Sequence, residues 1–219
     1  FGTSNEVATV RLYGAGRLGP AGSSFAQLRF KKTVTGFTGQ RAILRRLSPS
    51  ETIGGAIFLD PQATKAKVGD KARLCVLQAV QTHDIQEITR ALCKSQGGVA
   101  NLSGIGRLSR TTVPNARLGL GEGFVVIVDD LCSSNEQVED CKLAVLTLLD
   151  VYHSTYPLRV MATQSVTNGS GFAPALIQYV QQGLVKTGQI RLAGSNLALI
   201  GHDPMTSLSS EQLARLRDL

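Results

Sequence analysis

Apolar and polar residues alternate in two segments near the start of the chain, 6–13 and 25–31. An alternation with a period of two predicts antiparallel strands, each with one buried and one polar face. Two further segments, 41–47 and 52–59, are also typical of strands, and loops rich in glycine and proline separate the four. Short strands at this spacing predict a small antiparallel β-barrel.

The fourth of these segments contains the adjacent glycines Gly54 and Gly55. Paired glycines inside a strand indicate a β-bulge or a place where another backbone approaches closely. They do not form a phosphate-binding loop, because no G-K-[ST] follows them and no helix is predicted there.

From residue 70 onward apolar residues recur at spacings of three and four, which predicts helices. Two helices are expected over 70–80 and 84–93, and the second ends before Gly97-Gly98. A third segment, 99–107, has helical spacing but contains two glycines, which disfavour a helix. A strand is predicted over 124–128. Helices followed by a short sheet are typical of a winged helix.

The last third of the chain repeats this order more clearly. Ser133 and Glu136 have the spacing of a capping box, and apolar residues at 138, 141, 145, 148 and 152 predict one long amphipathic helix after them. A second helix is predicted from Pro174 to Val185, since proline suits a first helical turn. A hairpin follows over 190–199. The order again predicts a winged helix.

Positive charge is concentrated in the first third. The chain carries 23 Lys and Arg against 16 Asp and Glu, a net charge of +7 with a pI near 9.5. Residues 1–67 hold ten of the cations and three of the acids, whereas 68–131 have a net charge of +1 and 132–219 of −1. Such a basic segment indicates a nucleic-acid partner bound through its phosphates. An ordinary solvated surface is the alternative explanation.

The second predicted winged helix lacks this charge. In such folds the helix before the hairpin is the one that enters a groove of nucleic acid. Residues 174–185 contain no Lys or Arg, and only Lys186 and Arg191 flank them. Because phosphate contacts need cations or backbone donors, we expect this module to be a spacer or a protein-contacting module, with Lys186 and Arg191 as weaker candidates for nucleic-acid contact.

Other kinds of chemistry find little support in the sequence. The four cysteines form no C-x-x-C pair and the three histidines lie far apart, which disfavours a zinc site and a disulfide framework and fits a reducing cytoplasm. No apolar run approaches the roughly 20 residues of a membrane span, and no signal peptide is recognisable. We expect a cytoplasmic protein that has no metal site, no membrane contact and no catalytic constellation.

Three segments of the first third are similar to a known family. Residues 1–7 are F-G-T-S-N-E-V, residues 40–45 are Q-R-A-I-L-R, and residues 48–61 follow the pattern S-P-x-x-T-I-G-G-x-I-x-L-D-P. They resemble the third domain of bacterial selenocysteine-specific elongation factors, which is the counterpart of the last barrel of elongation factor Tu. The family has His before the Gly-Thr pair, where this chain has Phe1.

The resemblance continues along nearly the whole chain in the same order. Residues 152–159, Y-H-x-x-Y-P-L-R, resemble the segment after the long helix in these factors, and residues 199–202, L-I-G-H, with residues 208–212, resemble the exit from their second winged helix. Val160 and Met161 stand where the family has glycine. The segment 111–120 is shorter than its counterpart. The start at Phe1 rather than Met, and a helix that begins near 209 and stops uncapped, indicate a fragment.

The resemblance implies a multidomain fold. A small antiparallel β-barrel like the third domain of elongation factor Tu is expected at 1–64. Two α+β winged-helix modules are expected at 65–130 and 131–203, and the start of a truncated third winged helix at 204–219.

Factors of this family are GTPases that carry selenocysteinyl-tRNA to ribosomes paused at UGA codons, and they bind an mRNA hairpin through their last winged helices. This chain has no G-x-x-x-x-G-K-[ST] and no N-K-x-D. The resemblance therefore implies that GTP and Mg²⁺ bind an N-terminal domain absent here, that the hairpin binds modules beyond Leu219, and that this chain has no cofactor and is not an enzyme.

By the same analogy the barrel contacts the tRNA backbone. The candidate contacts are basic residues of the first third, namely Arg29, Lys31, Lys32, Arg41, Arg45 and Arg46. Alternation places Arg29 and Lys31 on the polar face of their strand, but it cannot place both Arg45 and Arg46 on one face.

Two other functions fit parts of the sequence. The first is a winged-helix, DNA-binding transcription regulator with a β-barrel appendage, which the neutral segment 174–185 disfavours. The second is an enzyme of unknown type, whose catalytic residues would come together only in the fold.

Overall fold

The structure is a computed structural model that describes residue 2 and residues 5–13, 16–65 and 69–207. The chain forms two compact units. Unit 1 comprises residues 1–95 and 100–122, and unit 2 comprises residues 96–99 and 123–219. The boundaries of the four predicted modules stay a prediction. The helix predicted near 209 lies outside the described residues, which end in a short 3₁₀ helix, Pro204–Ser207.

The β segment of unit 1 contains four strands: β1 (Ala8–Leu12), β2 (Ala26–Phe30), β3 (Arg41–Arg46) and β4 (Glu51–Ile57). β1 pairs with β2 and β3 pairs with β4, both antiparallel. The two pairs remain separate two-stranded sheets. The strands and their antiparallel pairing are confirmed. The predicted barrel is not confirmed, because the residues that the structure describes form no closed barrel.

A β-bulge interrupts the hairpin of β3 and β4. Leu44 lies opposite Gly54, whereas Arg45 lies opposite Thr52, so Ile53 is the extra residue. The bulge adjoins the paired glycines, as the sequence indicated. The extra residue belongs to β4, so the side chains of β3 keep their alternation.

Burial is sparse in the β segment. Ala42 is the one buried apolar residue among the described residues up to 65, and Ile43, Ile53 and Ile57 are 71%, 57% and 58% exposed. A two-stranded sheet has too little area to cover its own apolar face. The β segment therefore depends on contacts with the rest of unit 1 to stay ordered.

The remainder of unit 1 is helical. Its elements are α1 (Lys71–Thr82), α2 (Ile85–Ser95), β5 (Ala100–Asn101), α3 (Leu102–Ser109) and α4 (Val113–Gly119). The first two confirm the predicted helices at 70–80 and 84–93. The third predicted helix, 99–107, begins later than predicted, because residues 100–101 are extended and Asn101 caps α3.

The helix α4 occupies the segment that is short compared with the resembled family. Thr112 caps it by accepting a hydrogen bond from the Asn115 backbone N–H, and a proline stands in its first turn. Gly106 of α3 makes the close packing after it feasible, because a Cβ at that position would lie 2.9 Å from the carbonyl oxygen of Thr111.

Unit 2 follows the predicted winged-helix order of helices and a final hairpin. Its elements are β6 (Phe124–Val128), β7 (Leu131–Ser134), α5 (Asn135–Thr155), β8 (Ala162–Thr163), α6 (Ser165–Asn168), α7 (Pro174–Lys186), β9 (Ile190–Ala193) and β10 (Asn196–Leu199). β8, β10 and β9 form an antiparallel sheet in that order. The elements β7, β8 and α6 were not predicted, because each has only two to four residues.

The cap of the long helix α5 lies one residue later than predicted. Ser134 accepts the hydrogen bond from the Gln137 backbone N–H, 3.3 Å away. Ser133 is still in β7, and its hydroxyl donates to the carbonyl oxygen of Gly98 over 2.6 Å. The capping-box prediction was wrong by one position because β7 continues directly into the helix.

The core of unit 2 lies between α5 and α7. Cys141, Val145 and Leu149 of α5 are fully buried against the apolar face of α7. The predicted face is confirmed at 141 and 145. Farther along the helix the buried positions are Leu149 and His153, and the predicted positions 148 and 152 are only half-buried. The described helices include none with the length and apolarity of a membrane span.

Candidate nucleic-acid interface

The structure places the six basic candidates of the first third in different surroundings. Arg29 on β2 is half-buried, and its Nε donates a hydrogen bond to Gln27 Oε1 over 3.0 Å. Gln27 is itself buried and donates to the carbonyl oxygen of Thr64 over 2.7 Å. The prediction of a solvent-facing polar face on β2 was therefore wrong for Arg29, which packs into the protein.

Four other candidates are exposed, two directly after β2 and two on one face of β3. Lys31 and Lys32 form a bend directly after β2. Arg41 and Arg45 lie on the same face of β3, with the exposed Ile43 between them. This face of β3 therefore carries two cations, about 13 Å apart along the strand.

Arg46 points to the opposite face of β3 by the alternation of the strand. Its Nη1 lies 3.6 Å from Glu51 Oε2, and both side chains are more than half exposed. Exposed pairs of this kind contribute little to stability, but the carboxylate partly neutralises the guanidinium. The structure thus decides what alternation alone could not: Arg45 shares a face with Arg41, and Arg46 does not.

The weaker candidates are in unit 2. Lys186 belongs to the last turn of α7 rather than flanking the helix. Arg191 is exposed on β9, and its Nη2 donates to the carbonyl oxygen of Val160 over 3.5 Å. The remaining twelve residues of α7 carry no cation, so a nucleic acid would find little positive charge on this helix.

An ion-pair cluster connects the β segment of unit 1 to its helices. The Asp60 carboxylate, which is 5% exposed, accepts hydrogen bonds from Arg73 of α1 and Arg107 of α3. Burial alone would raise the pKa of Asp60, but the hydrogen bonds and charges of the two guanidinium groups outweigh it and hold the pKa below 3.8. Asp60 is therefore ionised at neutral pH, and the cluster keeps one positive charge in excess.

Two of the segments that carry the sequence resemblance meet in unit 2. The rings of His153 and His202 stack with their centroids 3.8 Å apart. His202 Nε2 donates a hydrogen bond to the carbonyl oxygen of Arg159 over 2.9 Å, and the Arg159 guanidinium lies over the ring of Tyr156. These contacts join the exit of α5 to the segment after β10.

Burial and the neighbouring His202 lower the pKa of His153 below 6.5. The unfolded chain therefore binds a proton more readily at this residue, and unit 2 loses stability as the pH falls from about 7 through 6.5. We expect the melting temperature of unit 2, followed by circular dichroism, to fall between pH 7 and pH 5. His153→Phe should reduce this dependence. His83→Gln, at an exposed site in unit 1, should leave it unchanged, and an equal effect of both would contradict the assignment.

The described residues contain no group of three or more His, Cys, Asp and Glu side chains that could hold a metal ion. Burial raises the pKa of the Cys141 thiol to about 11, so this cysteine is protonated and serves packing, as its position on the apolar face of α5 indicated.

Comparison with curated proteins finds a selenocysteine-specific elongation factor from Desulfomicrobium baculatum, 28% identical over 207 residues and 90% of this chain. The predicted resemblance is confirmed. The chain spans about a third of the length of this relative, since the alignment covers 32% of it. No family model matches the chain.

Among solved structures, the mRNA-binding domain of elongation factor SelB from E. coli in complex with SECIS RNA aligns with 59% of this chain and 98% of that chain. The TM-score is 0.38 and the identity 12%. These values do not establish a common fold, so the winged-helix description of unit 2 rests on its own helices and hairpin.

Proposed function

We propose that the chain acts as part of a selenocysteine-specific elongation factor and that its β segment binds the backbone of selenocysteinyl-tRNA. The observation that carries this proposal is the similarity to such a factor along 90% of the chain. The concentration of positive charge in residues 1–67, which is independent of that similarity, supports a phosphate-bearing partner for the same segment.

The contacts that we propose come from the exposed cations of the β segment. Arg41 and Arg45 share the outward face of β3, and Lys31 and Lys32 follow β2 at an exposed bend. Among the residues that the structure describes, these four have no ion-pair partner to give up when they bind phosphate groups. Arg29 and Arg46 contribute less, because one hydrogen-bonds within the protein and the other pairs with a carboxylate.

We propose that other parts of the factor perform its other activities. We propose that GTP and Mg²⁺ bind a separate domain, that the ribosome is the partner of the assembled factor in the cytoplasm, and that the mRNA hairpin binds later modules. Unit 2 then serves as an arm toward those modules. The lack of cations in residues 174–185 supports an arm rather than a reader of base sequence.

Charge reversal on the face of β3 tests the tRNA contact. In the full-length factor, Arg41→Glu with Arg45→Glu should weaken binding of selenocysteine tRNA and reduce the log–log salt slope by about two units, since each phosphate contact contributes about one. Fluorescence anisotropy at several salt concentrations measures both quantities.

The control for this experiment is Arg46→Glu, which reverses one charge on the opposite face of β3. We expect it to change the slope by less than about half a unit, against about two units for the double variant. An unchanged affinity in the double variant would overturn the tRNA contact. Tight binding of random duplex DNA by the unmodified chain in a gel shift would instead favour the DNA-binding regulator.

A further inference from the structure

A groove in unit 1 lies between the loop 33–38 and the C-terminal end of α3, and it has a volume of about 610 Å³. Its lining includes Arg107 and Arg110, four threonines, and no Asp or Glu. This volume falls within the range of sites that hold small molecules or a short segment of a larger ligand. The lining residues indicate an anionic ligand with hydrogen-bond acceptors.

The positive charge in this groove is not compensated. Arg107 shares the single carboxylate of Asp60 with Arg73, so two guanidinium groups face one negative charge. Arg110 has no ion pair with a carboxylate in the described part of the chain. Two net positive charges therefore lie at one end of α3, where an anion can approach them from solvent.

Arg110 lies against Gly39, and both residues have a positive φ. Arg110 ends α3 in the left-handed conformation, with φ of 60°, at a position that glycine normally takes. A Cβ at Gly39, whose φ is +85°, would lie 2.8 Å from Arg110 Nη1. The guanidinium thus packs against the turn at Gly39, where glycine suits both the positive φ and the close contact.

Thr38 adds a second, independent observation. This groove-lining residue is 2% exposed, and its hydroxyl has no hydrogen-bond partner among the residues that the structure describes. Buried hydroxyl groups without a partner are uncommon because they lose their hydrogen bonds to water on folding. The hydroxyl oxygen itself has almost no accessible surface, so a ligand in the groove would accept its hydrogen bond only after the Thr38 side chain turns toward the groove.

We propose that this groove binds a phosphate group of an RNA backbone, with Arg107 and Arg110 supplying positive charge and the Thr38 hydroxyl donating a hydrogen bond. The choice of RNA rests on the proposed function, while the phosphate site rests on the groove itself. The lining of the groove includes no residue of β3, so the site is a point of attachment separate from the face of β3.

The first test uses the 219-residue chain and a short RNA duplex of random sequence. Arg110→Glu should weaken binding about tenfold and reduce the salt slope by about one unit. Lys71→Glu makes an equivalent charge reversal at an exposed site at the start of α1 and should change affinity less than twofold. Equal affinities of the wild type and Arg110→Glu would overturn the proposed phosphate site in the groove, but they would not contradict the proposed function.

The second test uses inorganic phosphate, followed by NMR shifts of the Gly36 and Gly106 amides. We expect saturating shifts in the wild type and none in Arg110→Glu, and their absence in the wild type would overturn the site. If phosphate saturates the groove while the wild-type chain binds no RNA, the proposed function fails and the RNA part of this inference fails with it.

Thr38→Val separates ligand binding from stability. It removes a buried hydroxyl that has no partner, so the melting temperature should stay equal or rise, while RNA affinity should fall roughly tenfold through the loss of a hydrogen bond to a charged group. An unchanged affinity would remove Thr38 from the site. A purely structural role would instead lower the melting temperature without a matching change in affinity.

Discussion

Replacing Asp60 with Asn is expected to lower the free energy of unfolding of unit 1 by roughly 2–3 kcal/mol. The substitution leaves Arg73 and Arg107 partly buried without the carboxylate that both share. The guanidinium side chains are 19% and 30% exposed, and this residual solvation places the effect at or below the bottom of the range of about 3–5 kcal/mol for a fully buried pair. Amide hydrogen exchange in α1 and α3 measures the loss.

Glu51→Gln is the matched control for this experiment, because it makes the same chemical change in the exposed pair with Arg46. Its expected effect is below about 0.5 kcal/mol. Equal protection factors in the two variants would show that the Asp60 cluster does not hold the β segment to the helices.

The same cluster predicts how unit 1 responds to acid. The folded pKa of Asp60 is lowered below 3.8, so the unfolded chain binds the proton first and the contribution to stability is complete above about pH 5. It is lost as the pH falls through 3.8 and the lowered folded pKa. In Asp60→Asn this part of the acid dependence should disappear.

Leu149→Ala is expected to lower the free energy of unfolding of unit 2 by about 3 kcal/mol, through lost burial and the cavity left behind. Leu149 is fully buried between α5 and α7. Hydrogen exchange of the α5 amides follows the change.

Leu143→Ala provides the control on the same helix, because this leucine is 67% exposed. We expect a change within about 0.5 kcal/mol. A large effect at Leu143, or a small one at Leu149, would contradict the assignment of the buried face of α5.

The sequence predicted the positions of the long helices in this chain. It predicted their buried faces only in part. The spacing of apolar residues predicted α1, α2, α5 and α7, because a periodic pattern over ten or more residues reflects one continuous buried stripe. The end of α5 departed from that pattern. His153 is buried there because it stacks on His202, 49 positions away along the chain, and a local pattern carries no information about such a partner.

The sequence likewise predicted the candidate interface only in part. The segment that carries the excess charge could be counted directly from the sequence, and so could the lack of cations in residues 174–185. The sequence did not show which of these cations is exposed to a phosphate group. Arg29 forms a hydrogen bond with Gln27 within the protein, and the alternation of β3 puts Arg45 and Arg46 on opposite faces of the strand. The groove beside Arg110 was missed entirely, because the loop 33–38 and α3 are some 70 residues apart.

By itself, the sequence determined where the chain is basic, where its long helices and antiparallel strands lie, and which family it resembles. These properties depend on residue type and short-range spacing. The tertiary structure alone decided that the strands β1 to β4 form two separate two-stranded sheets, that Asp60 joins the β segment to α1 and α3, and which cations face solvent. The physical reason is that burial and ion pairing depend on distances in space between residues remote in the chain, which spacing along the sequence does not encode.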